Sequence, residues 1–268
     1  YLPKNKVVLN STKTDKKSSL ERFGLVGHIE YSDGVKVNFN KKEKKIILFQ
    51  SFPSDWVLFN GTNLQGWSIY FVGLERDHSK VSTEEQRFNY RGMTGCLNFY
   101  DTEFGDTEIN VVYGGCEDSL NLVASKGKLT SVTVRNAYAD ALDIDFSKIE
   151  IGDLYVENAQ NDCFDVSSGF YTIKNSSLSS CEDKGVSVGE KSQVHFEKLN
   201  IENAAIGISS KDLSQVYVNE VKASSVELCY EVFQKKQEFG GASLSVDQFV
   251  CASKFTVDDK SNSEVVLN

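Results

Sequence analysis

Aspartates at positions 140, 143, 145, 162 and 165 fall into two groups offset by about 22 residues, and lysines at 184 and 211 continue the same register. If that offset brings the groups side by side, Asp140, Asp143, Asp145, Asp162 and Asp165 crowd one patch, with Lys184 and Lys211 on its border. Carboxylates ~5 Å apart on a rigid surface repel one another, and the field disfavours ionising all of them. Such a group needs a proton, a cation or lysine partners. Two chemistries suit it. One is a general acid and base pair, in which one carboxyl keeps its proton beside an ionised neighbour. The other is a Ca²⁺ site of hard oxygens, with Asp143, Asp145 and Asp165 as donors. In the first case Asp143 and Asp165 are the acid and base. Lys184 is then either a further base or a clamp for substrate charge, and it equally suits an ordinary ion pair with Asp162.

The offset itself comes from an internal repeat. Each unit opens with a similar segment: Glu117 to Leu122, Ala139 to Ile144, Asn161 to Val166, Asp183 to Val188 and Ala205 to Ser210. Within the first four, Leu120/Leu122, Leu142/Ile144, Phe164/Val166 and Val186/Val188 alternate with period 2, which turns them inward and sends 121, 143, 165, 187 and 209 outward. A second apolar run follows in each unit, as in Ile151/Leu154/Val156 and Val216/Val218/Val221. Strands this short, separated by Gly, Ser, Asn and Lys without a helical stretch, cannot be βαβ crossovers. They pair in parallel only by winding, each strand bonding its copy one coil away, ~4.8 Å along the axis. The expectation is an all-β, right-handed parallel β-helix with about 22 residues per coil.

Stacking then predicts three outward columns. One holds 118, 140, 162 and 184, the next 121, 143, 165, 187 and 209, and the third 123, 145, 167, 189 and 211. Asp118, Asp140 and Asp162 precede their strands, so they equally suit a structural role, capping backbone groups at coil corners. The polar segment Asp183 to Ser192 lies on the same face and adds Glu190 to the candidate binding residues Asp140, Asp145, Asp162 and Lys211. Gln234 to Gly241 reaches this face from the following coil, where Lys235 and Lys236 either complete a mixed-charge groove or sit in a solvated loop. His28, His78 and His195 do not cluster.

Around these coils the chain divides into a lysine-rich lead-in at 1–20 and a single β-helix domain at 21–268. Within the domain, 21–73 reads as a cap or first coils that close the solenoid end. Residues 74–92 form a polar inserted loop of the kind that carries binding function, 93–248 the regular coils, and 249–268 a C-terminal cap. With 29 Lys and Arg against 38 Asp and Glu, the net charge of −9 disfavours nucleic acid as a partner. No apolar run is long enough to span a membrane. The chain opens on Tyr1 without a signal core, which points to a mature or excised fragment, attached to other domains of a longer protein. The six cysteines, at 96, 116, 163, 181, 229 and 251, show no CxxC spacing. Cys229 and Cys251 lie one coil apart, within disulfide reach, although buried cysteines also fill coil corners as small hydrophobes.

The order of the polar blocks resembles the pectate-lyase-like superfamily of β-helices, and within it the polygalacturonase-type glycosidases. Ala139-Asp140, Asn161-Asp162-Cys163, Lys184-Gly185 and Ser209-Ser210-Lys211 stand where that family carries its four catalytic blocks. Asn161, Lys184 and Ser209 replace one Asp of its paired Asp-Asp, its His and its Arg, so only Asp140 and Asp162 match its acids. The segments 140–147, 183–192, 210–214 and 234–236 also resemble a β-helix domain of bacterial envelope proteins, sometimes joined to spore-coat-protein-H-type kinase-like domains. These resemblances imply an extracellular or envelope protein that binds a polysaccharide, and processes it as a lyase, hydrolase or epimerase, on its acidic and lysine-bearing face. The competing expectation is a non-catalytic structural or assembly module whose polar ladders satisfy only its own backbone.

Overall fold

The computed structural model describes residues 16–20, 25–75, 88–89, 91–257 and 263–268. The inserted loop expected at 74–92 therefore lies largely outside the described residues, as do His78 and most of the lead-in. Among the described residues the chain is all-β, without a helix, and forms a β-solenoid of about nine turns with coils about 22 residues apart.

One ladder runs in parallel from Val57–Asn60 through Gly95–Tyr100, Asp118–Val123, Asp140–Asp145 and Phe164–Ser167. It continues through the second halves of Phe170–Gly189, Gln193–Lys211 and Gln215–Phe233. A second ladder carries Ser68–Val72, Glu103–Val112, Lys126–Ala137 and Lys148–Ala159 into the first halves of those long strands, then Ser243–Cys251 and Glu264–Leu267. In Lys148–Ala159 the buried positions Ile149 and Ile151 give way to Leu154 and Val156, so the alternation slips phase at Gly152 and Asp153 and the segment folds into two faces. The inward side chains of all faces make one continuous core, with Phe59 stacked on Phe99 at 4.9 Å and Phe164 edge-on to Phe196 at 5.8 Å.

Each coil turns at residues with left-handed backbone. One column is Asp101, Ala124, Phe146, Ser168, Glu190 and Asp212; the other is Tyr113, Asn136, Asn158, Ser180, Asn203 and Ser225, all with φ between 48° and 64°. Non-glycine residues adopt this conformation at a cost of about 1–2 kcal/mol. Cross-coil hydrogen bonds offset it: the N–H groups of Asp101, Ala124 and Phe146 donate to the carbonyls of Val123, Asp145 and Ser167 on the next coil. Just past the same corner, buried hydroxyls stack. Ser125 Oγ accepts the Thr102 N–H at 3.1 Å, and Ser147 Oγ accepts the Ser125 N–H at 2.9 Å.

The N-terminal end is closed by antiparallel pairing, His28–Tyr31 on Val57–Asn60 and Lys36–Asn40 on Lys45–Phe49. All six cysteines form disulfides, Cys96 to Cys116, Cys163 to Cys181 and Cys229 to Cys251. The Cys229 and Cys251 Cα atoms are 6.1 Å apart, which decides between a one-coil staple and a pair of buried thiols.

Candidate functional site

The three outward columns form in the expected register. In the first, the aspartates work on the backbone. Asp140 Oδ1 accepts the Asp162 N–H at 2.8 Å and the Asn161 side-chain amide at 2.7 Å. Asp162 Oδ1 in turn accepts the Lys184 N–H at 3.1 Å and faces the Lys184 ammonium at 3.4 Å. Each carboxylate thus ties the strand start of one coil to that of the next. Lys184 also pairs with Asp183. Burial works against its charge, but these two carboxylates prevail and hold its pKa above the ordinary lysine value, so it is a fixed cation rather than a base. Burial and the charge of Asp162 push the Asp140 carboxyl up to about 7, in spite of its two hydrogen bonds.

In the second column Asn121, Asp143, Asp165, Ser187, Ser209 and Glu231 stand on successive coils. Asn121, Ser187 and Ser209 are buried, whereas Asp143 and Asp165 keep part of their surface in water. Asn121 Nδ2 donates to Asp143 Oδ2 at 3.3 Å, and Ser209 Oγ donates to Glu231 Oε1 at 2.7 Å. Burial first, then the charges of Asp118, Asp145, Asp165 and Asp140, hold the Asp143 carboxyl well above the usual carboxylate range. That favours its protonated form, the state a proton donor needs. Asp118, deeper in the same neighbourhood, is pushed up too, by burial and by Asp140, Glu117 and Asp145.

The third column runs Asp145, Ser167 and Gly189, with Lys211 next. Asp145 is raised to about 6 by burial and by the charges of Asp165 and Glu190, against the pull of Ser167 and Lys236. Lys211 is 7% exposed and extends back along the axis to donate to Ser187 Oγ at 2.7 Å. The lysine stem runs over Gly189, where a Cβ would meet the Lys211 Cε at 3.9 Å, an ordinary contact. The ammonium therefore sits one rung from Asp165.

The segment 234–240 walls one side of this face. Asp212 Oδ1 accepts the N–H groups of Lys235 and Lys236, both at 2.7 Å, and the Leu213 N–H donates to the Gly240 carbonyl at 3.2 Å. Lys236 pairs with Glu190, while the Lys235 side chain is exposed. At the other end, Met93 packs outside the sheet with Trp56, Leu58 and Val123.

Among the described residues, no group of three or more His, Cys, Asp or Glu side chains is gathered to hold a metal ion. Asp143 and Asp145 are two residues apart on one strand, Asp165 is the neighbour of Asp143 on the next coil, and Ser167 that of Asp145. The sequence placed Asn121, Ser187 and Ser209 in this column without giving them a role. Glu231 and Asp212 were the residues missed, although Glu231 lies one 22-residue step past Ser209.

The fold and the site together define a disulfide-stapled β-solenoid with a half-buried acid and lysine face. No protein-family model matches the chain, and no curated protein or solved structure matches it.

Proposed function

We propose that this face binds an acidic extracellular polysaccharide and hydrolyses its glycosidic bonds. Asp143 protonates the departing oxygen while a carboxylate oxygen of Asp165 bonds the anomeric carbon, giving a glycosyl-enzyme, and Lys211 and Lys184 position the carboxylates of the sugar. The observation that carries this reading is the direct pairing of Asp143, biased toward its protonated form, with Asp165 on the next coil. One rung of separation, ~4.8 Å, suits an acid and a nucleophile, the spacing of retaining glycosidases. Inverting enzymes, which admit a water between the two groups, separate them by ~6.5–9.5 Å. Water completes the reaction by attacking the glycosyl-enzyme bond, with Asp143 returning as base. The three disulfides support an oxidising, extracytoplasmic location. The likeness of the polar blocks to pectate-lyase-like proteins supports the substrate class.

The test is incubation with a panel of uronic-acid polymers, reading new reducing ends and the anomeric configuration of the product. New ends lost in both Asp143→Asn and Asp165→Asn are the expected result. Silence across the panel, with no change in melting temperature, overturns the proposal and leaves a structural module whose aspartates serve only their own backbone.

A further inference from the structure

Away from the acidic face, the outward side of the second ladder carries a shallow depression of about 380 Å³, within the range of small-ligand sites. Two cross-coil columns floor it. Phe170 pairs with Gln193, Gln215 and Ser243 on successive coils, and Thr172 with His195, Tyr217 and Ser245. Their neighbours Tyr171, Val194, Val216 and Leu244 point into the core, which fixes the direction of both columns.

The lining contains no Asp, Glu, Lys or Arg, in a chain of which these make up 25%. Phe170 is 57% exposed and Tyr217 39%, and the Tyr217 and His195 rings are held in place. The Tyr217 hydroxyl donates to Asp247, and His195 Nε2 donates to Asn219 Oδ1 at 2.9 Å. The His195 and Tyr217 ring centroids lie 5.0 Å apart at a 50° tilt. An aromatic surface fixed in advance loses little entropy when a ligand settles on it.

We propose that this depression is a docking platform for uncharged sugar units of a glycan. The C–H faces of different pyranose units of the chain pack on Phe170 and on Tyr217, two rungs apart, while their hydroxyl edges exchange hydrogen bonds with Gln193, Gln215 and the two serines. Each of those side chains offers donors and acceptors without net charge. The lining offers a carboxylated or sulfated sugar no counter-charge, and the Asp247 carboxylate beside it already holds the Tyr217 hydroxyl. The rungs repeat every ~4.8 Å, so an extended chain meets uncharged groups on four successive coils. The platform is independent of the acidic face, and its failure would leave the hydrolysis proposal standing.

The experiment is calorimetric titration with neutral hexose and pentose oligosaccharides of four to six units, against wild type, Tyr217→Ala, Gln193→Ala and Asp143→Asn. Wild type and Asp143→Asn are expected to bind equally, Tyr217→Ala roughly tenfold more weakly, and Gln193→Ala measurably more weakly. Polygalacturonate should not compete. If Tyr217→Ala lowers the melting temperature, Gln193→Ala and Phe170→Ala decide the outcome. The proposal fails if no neutral oligosaccharide binds wild type, or if the platform variants bind as wild type does. It also fails if light scattering shows a self-association that Tyr217→Ala abolishes, which would make the patch an interface between copies of this chain.

Discussion

Asp143 lies opposite Asp165 across a single rung of a parallel ladder, with Asn121 continuing the line on one side and Ser187 on the other. Two carboxyls held this way cannot easily both be ionised, and burial, Asp118 and Asp145 tip the balance toward a protonated Asp143. Under the proposed hydrolysis, activity falls at high pH as Asp143 loses its proton. Replacing Asp143 or Asp165 with Asn should lower turnover by about 10²–10⁴. The informative readout is the pH–rate profile, from which Asp143→Asn removes the alkaline limb. An alkaline limb that survives in Asp143→Asn excludes Asp143 as the donor.

The same crowding predicts an unusual dependence of stability on pH. Asp140 titrates at about 7 and Asp145 at about 6 in the folded chain, raised by burial first and then by neighbouring carboxylates. In the unfolded chain such groups lose their protons near ~3.9. From about pH 4 to 7 the native state therefore holds more protons than the unfolded one, and stability falls as pH rises through that window. Glu30 and Glu190 are shifted down, burial notwithstanding, by Arg91 and Lys17 and by Lys236 and Ser167 respectively. Their contribution is present above the usual glutamate value and disappears on further acidification. The melting temperature should thus be higher at about pH 5 than at pH 8. Asp140→Asn should flatten the difference, since its Oδ1 still accepts the Asp162 N–H. A melting temperature that rises from pH 5 to 8 contradicts the assignment.

Lys211 and Ser187 provide a more local test. The buried ammonium donates to the serine hydroxyl at 2.7 Å, and Ser187→Ala removes that acceptor. A hydrogen bond to a charged group contributes about 1.5–3 kcal/mol, so a loss of about 2 kcal/mol is expected from urea unfolding. Gly189→Leu blocks the same path from the other side and should also weaken binding of acidic polymers. Full stability in both variants would mean that Lys211 reaches water by another route.

Asp212 governs the wall of the face. Its Oδ1 takes two backbone N–H groups, those of Lys235 and Lys236. Asp212→Ala should free the segment 234–240 and accelerate tryptic cleavage after Lys235 and Lys236, with a stability loss of about 1–2 kcal/mol. Digestion at the wild-type rate would show that Leu213, Gly240 and the Lys236–Glu190 pair hold the wall by themselves.

The coil period and the three outward columns were legible in the sequence, as was the one-coil spacing of Cys229 and Cys251, which left a staple and a pair of buried thiols both open. Each follows from counting, since a period-2 alternation repeated about every 22 residues leaves little choice of register. The direction of individual side chains was not. Asp140 and Asp143 are the same residue type three positions apart, yet one caps the next coil while the other faces out beside Asp165. Lys211 is buried where it reaches back to Ser187 one coil away, and its own surroundings in sequence carry no sign of that. The antiparallel cap uses strands from His28–Tyr31 to Val57–Asn60 that alternate much as the coils do. Nor do the corners announce themselves: Asp101, Ala124, Phe146 and Glu190 share a left-handed backbone without sharing a side-chain character.

That mixture of residue types at the corners has an evolutionary corollary. A bend enforced by cross-coil hydrogen bonding places almost no demand on the identity of the residue that makes it, and outward positions are equally unconstrained by the core. The exterior of this solenoid can therefore be rewritten one rung at a time, each substitution leaving the winding untouched. An extra residue is absorbed just as locally: Phe170 pairs with Gln193, 23 positions on, and a register shift between Cys181 and Lys184 restores the step of 22 from Lys184 to Ile206, so the later columns stay in line.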